Sequence, residues 1–118
     1  MYLSPEAQRL LDDVRHAHEQ LLTHFRADES HRRAFRAVYE ALESAVGDVD
    51  DALLQAPGEG GGWSPARVLL HLAEHDQQIE EASRRGIEHM IEHGLEHARS
   101  LWLARAAAPA AAVGDSAE

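Results

Sequence analysis

Five of the nine histidines in this chain fall between positions 71 and 97: His71, His75, His89, His93 and His97. His71 and His75 stand four residues apart, and His89, His93 and His97 repeat the same step, so a helix stacks each set on one face. Neutral imidazole is the commonest metal ligand among side chains, and several on one face are the raw material of a metal site. The chain has no cysteine, which excludes thiolate ligands and disulfides and leaves any ion to imidazole, carboxylate and water. That donor set favours zinc, nickel, iron, copper or manganese over clusters, and the expected cofactor is a divalent metal, with zinc, nickel or iron put first. Such an ion polarises a small substrate or lowers the pKa of a bound water or thiol.

The elements that must position these side chains can be read from punctuation and period. Ser4-Pro5-Glu6 opens a first helix with a capping hydroxyl, a proline in the first turn and an acid at the positive dipole end. Its apolar positions Leu3, Ala7, Leu10, Leu11, Val14, Leu21, Leu22 and Phe25 follow steps of three and four, with His18 inside the stripe. A second helix is expected from Asp28 or Ser30, with Phe35, Val38, Tyr39, Leu42, Val46, Val49 and Leu53 on one face; Gly47 should weaken it without ending it. A glycine-rich loop at 57–62 leads into Trp63-Ser64-Pro65, where Ser64 caps a third helix and Trp63 is placed to staple onto Val68. The third helix should bury Val68, Leu72 and Ile79, and after a weak turn at 83–86 a fourth should bury Ile87, Met90, Gly94, Ala98 and Leu101.

No strand pattern is present, so the expected fold is all-α, an up-down four-helix bundle over residues 1–106. The alanine-rich tail, 107–118, is expected to be disordered. If 83–86 fails to turn, residues 64–105 form one rod of roughly 60 Å. Such a rod would have to be completed or swapped in a dimer, and a homodimer is the expected assembly in either case.

A reversal at 83–86 makes a geometric claim. It sets His71 level with Ala98 and His75 level with Gly94, so that His71 comes beside His97 and His75 beside His93. Bundle proteins build metal centres from inward imidazoles on neighbouring helices. The expected ligands are His71, His93 and His97, a facial set with open positions, while His75 and His18 are candidate additions. His75 could instead be oriented by its acidic neighbours Glu74 and Asp76. The plainer reading of His89, His93 and His97 is a solvated face, each imidazole beside Glu88, Glu92 or Glu96. His18 on an apolar stripe is more often a satisfied core residue, and His16, His24 and His31 read as surface.

The run Gly62-Trp63-Ser64-Pro65-Ala66-Arg67-Val68-Leu69-Leu70-His71-Leu72-Ala73-Glu74-His75-Asp76 resembles the entry to the second helix of DinB-like proteins. There a Trp-Ser pair opens the helix and the histidine of a His-Leu pair binds metal. The stretch from Phe35 to Ala56 is similar to their first helix, and the likeness covers roughly residues 35 to 80. The resemblance implies a commonly dimeric four-helix bundle carrying zinc or nickel, with His71 as first ligand and an i,i+4 pair on the last helix, which His93 and His97 match, as the others. It further implies a thiol-dependent transferase or related metal-dependent activity. A second, weaker resemblance joins His24-Phe25-Arg26-Ala27-Asp28-Glu29 and His71-Leu72-Ala73-Glu74-His75 to hemerythrin-type di-iron proteins.

With 21 acidic against 11 basic side chains the formal charge is −10, which argues against a nucleic-acid partner. The opening MYLSPEAQ has no signal-peptide pattern, and no apolar run approaches the roughly 20 residues of a membrane span. A soluble, cytoplasmic protein is therefore expected. Nothing resembles a nucleophile arrangement, a phosphate loop or a dinucleotide fingerprint, so any activity on a small-molecule substrate, transferase or hydrolase, would belong to the metal, with Glu74 or His75 nearby as proton acceptors. The alternative from another class is a non-enzymatic dimeric helical module whose histidines form a pH-sensitive seam.

Overall fold

A computed structural model of the chain describes residues 1–58 and 62–116, with side chains as far as residue 105. The described residues are all-helical, with six helices: α1 (Pro5–His24), α2 (Glu29–Val46), α3 (Asp51–Gln55), α4 (Pro65–Asp76), α5 (Ile79–Arg85) and α6 (Ile87–Ser116). No helix among them is long and apolar enough to cross a membrane. Residues 59–61 of the glycine-rich loop expected at 57–62 lie outside the described residues. Of the alanine-rich tail only the backbone is described, and it is helical to Ser116, in keeping with alanine's helix propensity, where fraying was expected.

The helix starts follow from local chemistry. Ser4 Oγ accepts the Ala7 N–H at 3.1 Å and Ser64 Oγ accepts the Arg67 N–H at 3.1 Å, each followed by a proline in the first turn. Asp28 caps α2 by accepting the His31 N–H at 2.9 Å. Each cap satisfies one of the first-turn donors that a helix cannot bond internally, an effect of about 1 kcal/mol.

Two expected helix ends are corrected. Gly47 does end α2: Asp48 follows it at φ +62°, donating its N–H to the Tyr2 carbonyl at 2.7 Å while Asp48 Oδ1 accepts the Tyr2 N–H at 2.8 Å. The N-terminal segment thus takes the hydrogen bonds a longer helix would have used. Asp50 then caps the short α3, accepting the Leu53 N–H at 2.8 Å, and the buried residue there is Leu54, with Leu53 half exposed. The third helix stops at Asp76, with Gln78 out of helical geometry at ψ 83° before α5 begins. The alternative of a single rod over 64–105 does not form, because the chain breaks again at Gly86, within the expected turn.

Gly86 has φ +95° and ψ 155°, a region open essentially to glycine alone. It is the hinge that sends α6 back along α4. α1 lies against α4 and α2, α2 lies along α6, and α4 meets α6. Inside, one apolar cluster gathers Leu10, Leu11, Val14, Val38, Leu42, Leu69 and Leu72, and a second gathers Leu21, Phe35, Ala82 and Met90. A fully buried leucine contributes about 1.5–3 kcal/mol relative to exposure. His18 stands on α1 between Val14 of the first cluster and Leu21 of the second.

Candidate metal centre

α4 offers His71 and His75 and α6 offers His93 and His97, four residues apart in each case and therefore on one face of each helix. The reversal at Gly86 brings these faces together. The ring centroids of His75 and His93 lie 4.1 Å apart and those of His71 and His97 5.1 Å apart, the pairing that a turn at 83–86 requires. Nε2 of His93 lies 3.4 Å from Nε2 of His71 and 3.2 Å from Nε2 of His97. Three ring nitrogens of the same kind thus converge on one point. Hydrogen bonding alone serves them poorly, since each N–H needs a lone pair and Nδ1 of His93 is buried without a partner among the described residues.

The spacing fits a metal ion. A tetrahedral ion with bonds of about 2.0–2.1 Å holds its ligand atoms roughly 3.3 Å apart, close to both measured separations. All three donor atoms lie within 4.8 Å of one another. Burial pushes the His93 imidazole down to about 4, with repulsion from His75 and His97 adding to it. His71 and His97 are also held below the ordinary histidine range, by burial first and then by repulsion from His75 and from His71 respectively. Neutral rings at pH 7 keep the lone pairs that ligation needs. The half-exposed Trp63, expected to staple onto Val68, lies with its ring 5.0 Å from that of His71.

Below this set the structure places a buried carboxylate. Asp76 is wholly buried, with Oδ2 at 3.0 Å from Nε2 of His18 and Oδ1 at 3.1 Å from Nδ1 of His75. His18, a candidate addition to the metal set, is therefore a core residue tied to α4 through Asp76, outside the imidazole trio. His75 is held by Asp76 as the sequence allowed, while Glu74 is exposed and 3.6 Å from Arg67. His89 lies about one ring further along, 6.1 Å from His93 and 6.2 Å from His75 between centroids. His24 pairs with Ser83 at 2.6 Å and Asp28 caps α2. Neither of these two joins a donor cluster among the described residues.

The bond between His18 and Asp76 is the feature that sequence reasoning missed. Its signal was present: Asp76 follows Leu72 by four and Ala73 by three, on the same buried face, and His18 interrupts an apolar stripe. No protein-family model, curated protein or solved structure matches the chain.

Proposed function

We propose that this chain is a DinB-like metal-binding protein that holds a divalent ion, zinc, nickel or iron, on His71, His93 and His97. In this reading α1, α2, α4 with α5, and α6 act as the four arms of an up-down bundle, and the protein works in the cytoplasm on a small molecule. The observation that carries it is the convergence of three Nε2 atoms at 3.2 and 3.4 Å. When bound, the ion supplies Lewis acidity or lowers the pKa of a water or thiol. The chain supplies three neutral ligands and leaves coordination positions open, the condition for a transferase or hydrolase activity. His75, packed at a tilt against His93 and held by Asp76, is a better placed proton acceptor than the exposed Glu74.

Elemental analysis of protein purified without an affinity tag, followed by calorimetric titration with zinc and nickel, tests the reading. At least one tightly bound equivalent is expected, lost in His71→Ala. Metal-free protein that takes up neither ion would end it.

A second reading rests on Trp63, Leu70, Leu95, Trp102 and Leu103, large apolar side chains exposed on α4, α6 and the segment before α4. They support a homodimer in which the histidines act as a seam. Light scattering across pH distinguishes it. A seam weakens only as its histidines charge, and burial moves that event below the reference value of about 6.5.

A further inference from the structure

His93 belongs to two donor groups. Besides the trio with His71 and His97, it brings a ligand atom within 4.8 Å of one from His75 and one from Asp76. Its Nε2 faces the first pair, while Nδ1 on the other side of the ring is buried and unpartnered among the described residues. Asp76 is fully buried. Its Oδ2 is held by His18 at 3.0 Å, the outer contact that fixes a ligating carboxylate, which leaves Oδ1 toward His75 at 3.1 Å.

We propose that the cluster takes two divalent ions, with the His93 ring bridging them. The first rests on His71, His97 and Nε2 of His93, as in the function proposed above, on which this inference depends. The second rests on His75, Oδ1 of Asp76 and Nδ1 of His93. Two imidazoles and one carboxylate suit the same borderline ions, zinc and copper(II) among them. A single ion on the first trio leaves two things in place: a buried ring nitrogen with nothing to bond, and beside it a carboxylate out of solvent held only by two imidazoles. A second ion answers both at once. The proton balance is simple. A neutral imidazole has one N–H, so ligation through both nitrogens forms two metal–nitrogen bonds and releases that proton to solvent. Uptake of the second ion is therefore accompanied by proton release from His93.

The test is a zinc titration of the full, metal-free chain by calorimetry, with elemental analysis after dialysis. Two equivalents per chain are expected for the wild type, and one for His75→Gln, which removes a half-buried ligand of the second position alone. Asp76→Asn is expected to behave like His75→Gln if circular dichroism shows it folded; His75→Gln carries the test if it is not. In copper(II)-loaded wild type, a bridging ring couples the two spins and lowers the integrated resonance signal relative to copper content, and His75→Gln restores it. One equivalent in the wild type overturns the two-ion centre and leaves the three-histidine site standing. Two equivalents that survive His75→Gln also overturn it, since the second ion would then sit elsewhere. Zero equivalents overturn the three-histidine site itself.

Discussion

His18 of α1 and Asp76 of α4 meet Nε2 to Oδ2 at 3.0 Å with both side chains out of solvent. The bond ties two helices together directly beneath the imidazole cluster, because the same carboxylate reaches His75 through its other oxygen. A buried polar pair of this kind is costly to break from one side, since the surviving member is left unsatisfied in a low-dielectric interior.

Asp76→Leu in metal-free protein is accordingly expected to lose about 3 kcal/mol of stability, the range for removing one partner of a buried pair. His18→Leu combined with Asp76→Leu removes both polar groups and is expected to lose much less than that single change. Urea denaturation of the two single variants and the double variant measures the coupling. Additive losses would mean that the two side chains do not support each other.

Gly86 sets the register of the histidines, and its φ of +95° admits almost no other residue. No atom lies within 4 Å of a Cβ built there, so the cost of Gly86→Ala is backbone strain alone, about 1–3 kcal/mol. The same variant should bind zinc more weakly, since relaxing the hinge moves His93 and His97 relative to His71. An unchanged denaturation midpoint would show that the hinge lies elsewhere.

The elements that chemistry marks strongly were legible from the sequence. Ser4-Pro5 and Ser64-Pro65 start helices where they should, and the pairing of His71 with His97 and His75 with His93 follows from two i,i+4 steps and one turn. The glycine at 86 carries that turn without a proline. What was not legible depends on contacts distant in sequence. α2 ends at Gly47 because Tyr2 captures Asp48, and no local pattern reports a partner 46 residues away. The break at Gln77 and Gln78 has neither glycine nor proline to announce it. Asp76 reads as a polar flank of His75 until α1 is packed against α4 and His18 is found facing it.

The depressed pKa values give metal-free protein a defined pH response. The folded His93 titrates at about 4, chiefly because it is buried, whereas an unfolded histidine titrates near 6.5. Between those values the unfolded chain binds more protons, so the contribution to stability is present above about 6.5 and is lost as pH falls toward 4. His71, His75 and Asp76 on α4 and His89 and His97 on α6 face the same space, and the lowered values of His71 and His97 act in the same direction. Melting temperatures of the metal-free protein should fall over this window, and the fall should be shallower in His93→Gln. Parallel curves for the two proteins would refute the assignment.

Gly94 lies one residue from His93 on α6, where α6 crosses α2. A Cβ built on Gly94 would stand 2.7 Å from Cγ1 of Val38, closer than real contacts allow, and a valine in a helix has little freedom to turn away. Gly94→Ala therefore sets two effects against each other. The helix gains about 1 kcal/mol from replacing glycine, and overpacking loses about 1–3 kcal/mol. The net expectation is a loss of about 1 kcal/mol, with weaker zinc binding as α6 is pushed off α2 and carries His93 and His97 with it. Val38→Ala removes the obstructing methyls. In that background the overpacking disappears and only the helix gain remains, so Gly94→Ala should become stabilising by up to about 1 kcal/mol. Denaturation of the four proteins in this cycle decides the matter: an effect of the same sign in both backgrounds would mean that Val38 is not what requires a glycine beside the clustered histidines.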